Sequence, residues 1–98
     1  MLLDFILEHK DEILSIFEKY NCDDIVLIGS VSKRKEQDKS DIDFVANFDI
    51  STVEKMQLNM DLRKELKSYF KREIDLATHD QILGQYPKAL SEGIRLKR

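Results

Sequence analysis

A two-residue turn signal, Gly29-Ser30, stands ten residues ahead of Asp41-Ile42-Asp43, and the runs around both say where they lie. Asp24-Ile25-Val26-Leu27-Ile28 is a short apolar, β-branched run, so Gly29-Ser30 falls at the end of a buried strand. Asp41 to Phe48 is a second extended run, which points Asp41 and Asp43 to the same side of one strand. Neighbouring like charges on one side of a strand repel each other unless a cation or strong donors offset them. The pattern therefore predicts a divalent cation beside a turn able to hold phosphates. Arg72 to Ala77 reads as a third short strand with Asp75 in its middle. If that strand pairs beside the second, Asp75 faces the same site. Three carboxylates and two metal ions can clamp the attacking and leaving oxygens of an in-line phosphoryl displacement. Oxygen-only ligands suit Mg²⁺ or Mn²⁺, and no Cys/His cluster competes for zinc.

Other readings of the acidic motif fare worse. An EF-hand loop needs an oxygen ligand and a glycine where this chain has Val45 and Ala46. A P-loop needs a second glycine followed by Lys-Ser/Thr, which does not follow Gly29. Asp-x-Asp alone is more often a pair of solvent-facing strand charges; the spaced Gly-Ser and the third aspartate weigh against that here.

Gly29-Ser30-x10-Asp41-x-Asp43, with Asp75 on a later strand, resembles the signature of the DNA polymerase β-like nucleotidyltransferases. The short length is similar to the minimal nucleotidyltransferase branch, the MntA-like antitoxins paired with a HEPN-domain toxin. The likeness runs from about Ile25 to Ala77, and Leu90 to Leu96 resembles that branch's C-terminal helix. Where many relatives carry Ala-Arg-Gly after the Gly-Ser, this chain has Ser32-Lys33-Arg34; where they carry a late tyrosine, it has Lys97. The resemblance implies a palm-like fold, two Mg²⁺ ions on Asp41, Asp43 and Asp75, and ATP held at Gly29 and Ser30. Lys33 or Arg34 would offset phosphate charge. It also implies transfer of AMP to a tyrosine of a HEPN ribonuclease toxin, neutralising it. Two alternatives remain at this stage: an antitoxin that only masks its toxin, and transfer to a small molecule or an RNA end.

The 98 residues suit one domain, 1–98, near the lower limit for a self-sufficient core. Such a chain is expected to bind its acceptor with a partner, with a second copy of itself or on an open face. A formal charge of −3 gives no basic footprint, so direct nucleic-acid binding is not expected. The single Cys22 excludes an intrachain disulfide and fits a small loop or core residue in a reducing cytoplasm. The N-terminus is too acidic and too short for a signal peptide, and no run is long enough for a bilayer.

The element order expected is ααβαβαβαα: a small mixed or antiparallel sheet backed by helices. Residues 2–19 carry apolar side chains at helical spacing, with a possible break in the charged stretch Glu8 to Glu12. A short helix is expected at Val31 to Arg34, placing Ser30 at its start, where free N–H groups favour phosphate. Glu36 to Ser40 is a polar loop whose Ser40 can bond Asp41. Ser51 or Thr52 caps a helix reaching Phe70, with Val53, Met56, Met60 and Leu66 as its core face. Thr78 caps a short helix, and Pro87 opens a last helix through Leu96. His9 and His79 read as surface residues, and Glu73 as a surface partner of Lys71 or Arg72.

Overall fold

The apolar runs assemble one sheet whose two sides are both covered. The computed structural model describes residues 2–35, 41–48, 52–85 and 87–97. The elements are α1 (Leu2–Glu8), α2 (Lys10–Glu18), β1 (Cys22–Ile28), α3 (Gly29–Ser32), β2 (Ile42–Phe48), α4 (Thr52–Phe70), β3 (Ile74–Thr78), α5 (His79–Gln85), α6 (Pro87–Glu92) and β4 (Ile94–Lys97). The sheet runs β3-β2-β1-β4. β1 pairs antiparallel with β2 and β4, whereas β2 and β3 are parallel, so the sheet is mixed. Parallel neighbours need a long return, and α4 supplies it.

Strand alternation sorts the core into two layers. Ile25, Leu27, Ile42, Phe44, Phe48, Ile74 and Leu76 face α1, α2 and α4, meeting Leu3, Ile6, Ile13, Phe17, Leu62 and Leu66. Phe17 and Phe44 meet edge to face at 5.3 Å, and burying each such ring is worth roughly 2–3 kcal/mol. Val26 and Val45 face the other way, against Ile82, Ala89 and Leu90 of α5 and α6.

The N-terminal helical stretch does break within the charged region, at His9, whose ring stacks on Phe5 at 4.1 Å. Thr78 does cap α5: its hydroxyl accepts from the Gln81 N–H at 3.3 Å while the Gln81 side chain accepts from the Thr78 N–H at 2.9 Å. The Glu36 to Ser40 loop, the Ser40 bond to Asp41 and the Ser51 cap lie outside the described residues.

Three expectations are corrected. The last helix does not reach Leu96: it ends at Glu92, and Ile94–Lys97 is an edge strand on β1. Gly93 makes the join, because a Cβ there would sit 2.7 Å from the Leu27 carbonyl oxygen. Met56 and Met60 are not core; they are 69% and 46% exposed, while Leu62 and Leu66 take α4's inward face. His79 is not a surface residue: its side chain is 14% exposed, and its Nε2 lies 2.7 Å from the Asp24 carbonyl oxygen. Glu73 pairs with Lys67, at 2.6 Å.

Candidate active site

Register places the acidic residues in a row. Asp43 stands directly opposite Asp75 across the parallel ladder and opposite Ile28 across the antiparallel one. Ile28 immediately precedes Gly29, so the turn begins beside the Asp43 carboxylate. Asp43 shares its side of β2 with Val45, and Asp75 shares its side of β3 with Ala77, so both aspartates lie on the α5–α6 side. Asp41 is exposed just before β2 begins.

Gly29 is required at its position for two reasons. Its φ of +77° is one that L side chains rarely adopt, and a Cβ there would lie 2.2 Å from Asp43 Oδ2. The backbone thus folds tightly over the carboxylate. Ser30 follows, half-buried, and its carbonyl accepts from the Lys33 and Lys35 N–H groups at 3.2 and 2.8 Å. The Ser32 hydroxyl donates to the Gly29 carbonyl at 2.7 Å, which closes the turn. α3 is only one turn long, so any anion affinity here comes from individual N–H groups rather than from a helix dipole.

The carboxylate row is electrostatically unbalanced. Burial pushes the Asp43 carboxyl up to about 6, helped by the charge of Asp75, then that of Asp41, and by a side-chain hydrogen bond with Asp75. Among the described residues no Lys, Arg or His forms an ion pair with Asp41, Asp43 or Asp75. Among the described residues no three Asp, Glu, His or Cys side chains gather closely enough to hold a metal ion by themselves. The donor set nevertheless fits a hard divalent cation: adjacent carboxylates on neighbouring strands, oxygen only, and short of positive charge.

The basic residues after the turn are engaged elsewhere. Lys33 Nζ lies 3.5 Å from Glu92 at the end of α6, and the Arg34 guanidinium grips both Asp4 carboxylate oxygens of α1 at 2.9 and 3.0 Å. Gly29, Ser30, Asp43 and Asp75 are therefore brought together at one end of the sheet. Asp41 borders them, while the Arg34 side chain points to α1. Sequence reasoning missed a second polar cluster, in which Asp24, at φ +48°, bonds both Arg95 of β4 and His79 of α5. Its residues are distant in sequence, and no local pattern announces a bulge at Asp24. Cys22 is inert, its thiol pushed up to about 12 by burial and then by Asp23.

The family model for polymerase beta nucleotidyltransferases matches residues 11–96. The chain belongs to that family. Solved structures share the fold at low identity. A toxin–antitoxin crystal structure with AMP-PNP superposes with a TM-score of 0.72 at 18% identity, covering 89% of this chain and 71% of that one. A structure described as a minimal nucleotidyltransferase gives 0.70 at 17%, covering 94% and 93%. The MntA-HepT toxin–antitoxin gives 0.64 at 16%, covering 92% and 70%. No curated protein matches the chain. No helix among the described residues is long and apolar enough to cross a membrane.

Proposed function

We propose that this nucleotidyltransferase moves AMP from ATP to a hydroxyl of a protein acceptor, a tyrosine of a cognate HEPN-type toxin, and silences it. The observation that carries the transferase chemistry is the pairing of Asp43, pressed under the Gly29 turn, with Asp75 opposite it on the next strand, neither with a cationic partner among the described residues. The toxin as acceptor is supported by fold likeness to toxin–antitoxin structures, one of them solved with AMP-PNP. A single buried cysteine, with no second one to form an intrachain disulfide, is in keeping with the cytoplasm as the site of action.

Asp41, Asp43 and Asp75 would hold Mg²⁺, which supplies charge neutralisation at the triphosphate. Gly29 and Ser30 cradle the β- and γ-phosphates through backbone N–H groups and the Ser30 hydroxyl. Lys33, released from Glu92, offsets their charge; Arg34 would have to leave Asp4 to do the same. Asp75 orients the acceptor hydroxyl and takes its proton as the oxygen attacks the α-phosphorus. The bond to the bridging oxygen breaks, and pyrophosphate leaves with the electron pair. Catalysis of this kind is positioning and electrostatics, so losing one carboxylate should cost orders of magnitude in rate.

The test is direct. The chain is incubated with the toxin encoded beside it, Mg²⁺ and ATP labelled on the α-phosphate. Label should appear on the toxin with wild type and fall at least about a hundredfold with Asp41→Asn/Asp43→Asn. Undiminished label with the double variant would refute the mechanism.

A further inference from the structure

The two methionines that leave the core line a groove of about 420 Å³ beside edge strand β3. It opens at the C-terminal ends of β2 and β3, whereas the aspartates sit at their N-terminal ends. Leu76, next to Asp75, lines the groove, but Leu76 faces the α4 side of the sheet and the aspartates face the α5–α6 side, so the groove neighbours the site without sharing its residues.

The walls say what fits. Met56, Asn59, Met60 and Arg63 recur on one side of α4 at helical spacing, joined by Lys55, and Leu76 forms part of the floor. Met60 and Met56 give an exposed, adaptable apolar stripe of the kind used to grip partner helices. Lys55 and Arg63 bracket that stripe, and neither forms an ion pair with another described residue. They stand two turns apart, about 12 Å, and put unbalanced positive charge at both ends in a chain of net charge −3. Asp80 on the opposite wall argues against a polyanion such as nucleic acid. An added strand is also disfavoured. The outward Leu76 carbonyl already accepts from Asn59 Nδ2 at 3.1 Å, and the Thr78 N–H is held by Gln81, so two of the edge's main-chain groups are taken.

We propose that this groove is a docking site for an amphipathic helix, apolar on one face with acidic flanks, on the protein that accepts the nucleotide. The proposal rests on the transfer reading above and adds to it a surface that captures the acceptor outside the chemistry. Apolar anchors fill the space between Met56 and Met60, and flanking carboxylates meet Lys55 and Arg63.

The test compares wild type, Met56→Asp/Met60→Asp and Lys55→Glu/Arg63→Glu by calorimetric titration with the intact toxin encoded beside the chain, and separately with Mg–ATP. Unfolding temperatures check that each variant is folded; should the first fail, the second, at two polar side chains, carries the test. The apolar variant should bind toxin at least tenfold more weakly. The charge reversal should weaken binding severalfold at low salt and flatten its salt dependence. Both should bind Mg–ATP as wild type does. Unchanged toxin affinity in both variants, with wild type still labelling the toxin, would overturn the docking site and leave the transfer reading standing. A wild type that binds neither Mg–ATP nor toxin would overturn both.

Discussion

At the scale of single residues, Asp43 carries a conflict between folding and chemistry. Its proton is held from the usual 3.8 up to about 6, first by burial and then by Asp75 and Asp41. A raised carboxyl binds protons more tightly in the folded than in the unfolded state, so stability falls as pH rises through that window. Above about 6 the loss is complete, and an ionised Asp43 faces Asp75 without a cation. Asp43→Asn removes this liability. In chelator, the unfolding temperature of the variant should therefore gain on wild type between about pH 4 and pH 6.5 and hold that gain at pH 7.5. Mg²⁺ should raise wild type more at pH 7.5 than at pH 5, and barely move the variant. A gap between the two proteins that does not vary with pH would contradict the assignment. A variant more stable than its parent yet far slower in transfer is what a site under electrostatic strain should yield.

At the scale of elements, packing separates residues that hydropathy treats alike. Leu62 is fully buried under the sheet while Met60, two positions away, is half-exposed. Leu62→Ala should cost about 2–4 kcal/mol in denaturant unfolding and Met60→Ala less than about 0.5 kcal/mol. Equal costs would mean α4 is rotated from the orientation described. Much of the fold was legible because period-two and period-3.6 runs are local: β1, β2, β3 and the α1–α2 break follow from them. The row of Gly29, Asp43 and Asp75 was legible in part for a related reason: local pattern puts Gly29 and Asp43 at strand ends, whereas Asp75, which reads as mid-strand, stands second in β3. α4 was harder, since apolar residues at 53, 56, 60 and 66 and those at 58, 62 and 66 are two overlapping stripes; only the sheet decides which turns inward. β4 was misjudged although Ile94-Arg95-Leu96-Lys97 alternates, because four residues are too few to favour strand over helix by themselves. What decides is remote: Gly93 lies against the Leu27 carbonyl, and Arg95 reaches Asp24. The Asp24–His79–Arg95 cluster was invisible for the same reason, joining residues 55 and more positions apart.

At the scale of the whole molecule, the sheet sets the aspartates and the groove at opposite ends of the same strands. Under the proposed function, transfer would use the aspartates at the N-terminal ends of β2 and β3, and capture of a partner would use the groove at their C-terminal ends. An antitoxin that merely masks its target would need only the second. The two modes diverge in living cells. Asp41→Asn/Asp43→Asn leaves Met56, Met60, Lys55 and Arg63 untouched, so the variant should still bind the toxin with wild-type affinity. If AMP transfer is what silences the toxin, that bound variant should fail to rescue growth when the toxin is induced, because a toxin that is bound but unmodified keeps its activity. Wild type, acting catalytically, should rescue growth even when toxin is in severalfold excess, since one copy can modify many targets. Growth curves across a range of antitoxin-to-toxin expression ratios measure this. Rescue by the double variant at every ratio where wild type succeeds would mean the carboxylates are dispensable to protection. Rescue by wild type only at stoichiometric expression would point the same way. Failure of the variant at all ratios, with its affinity for toxin intact, is the outcome that the separation of site and groove requires.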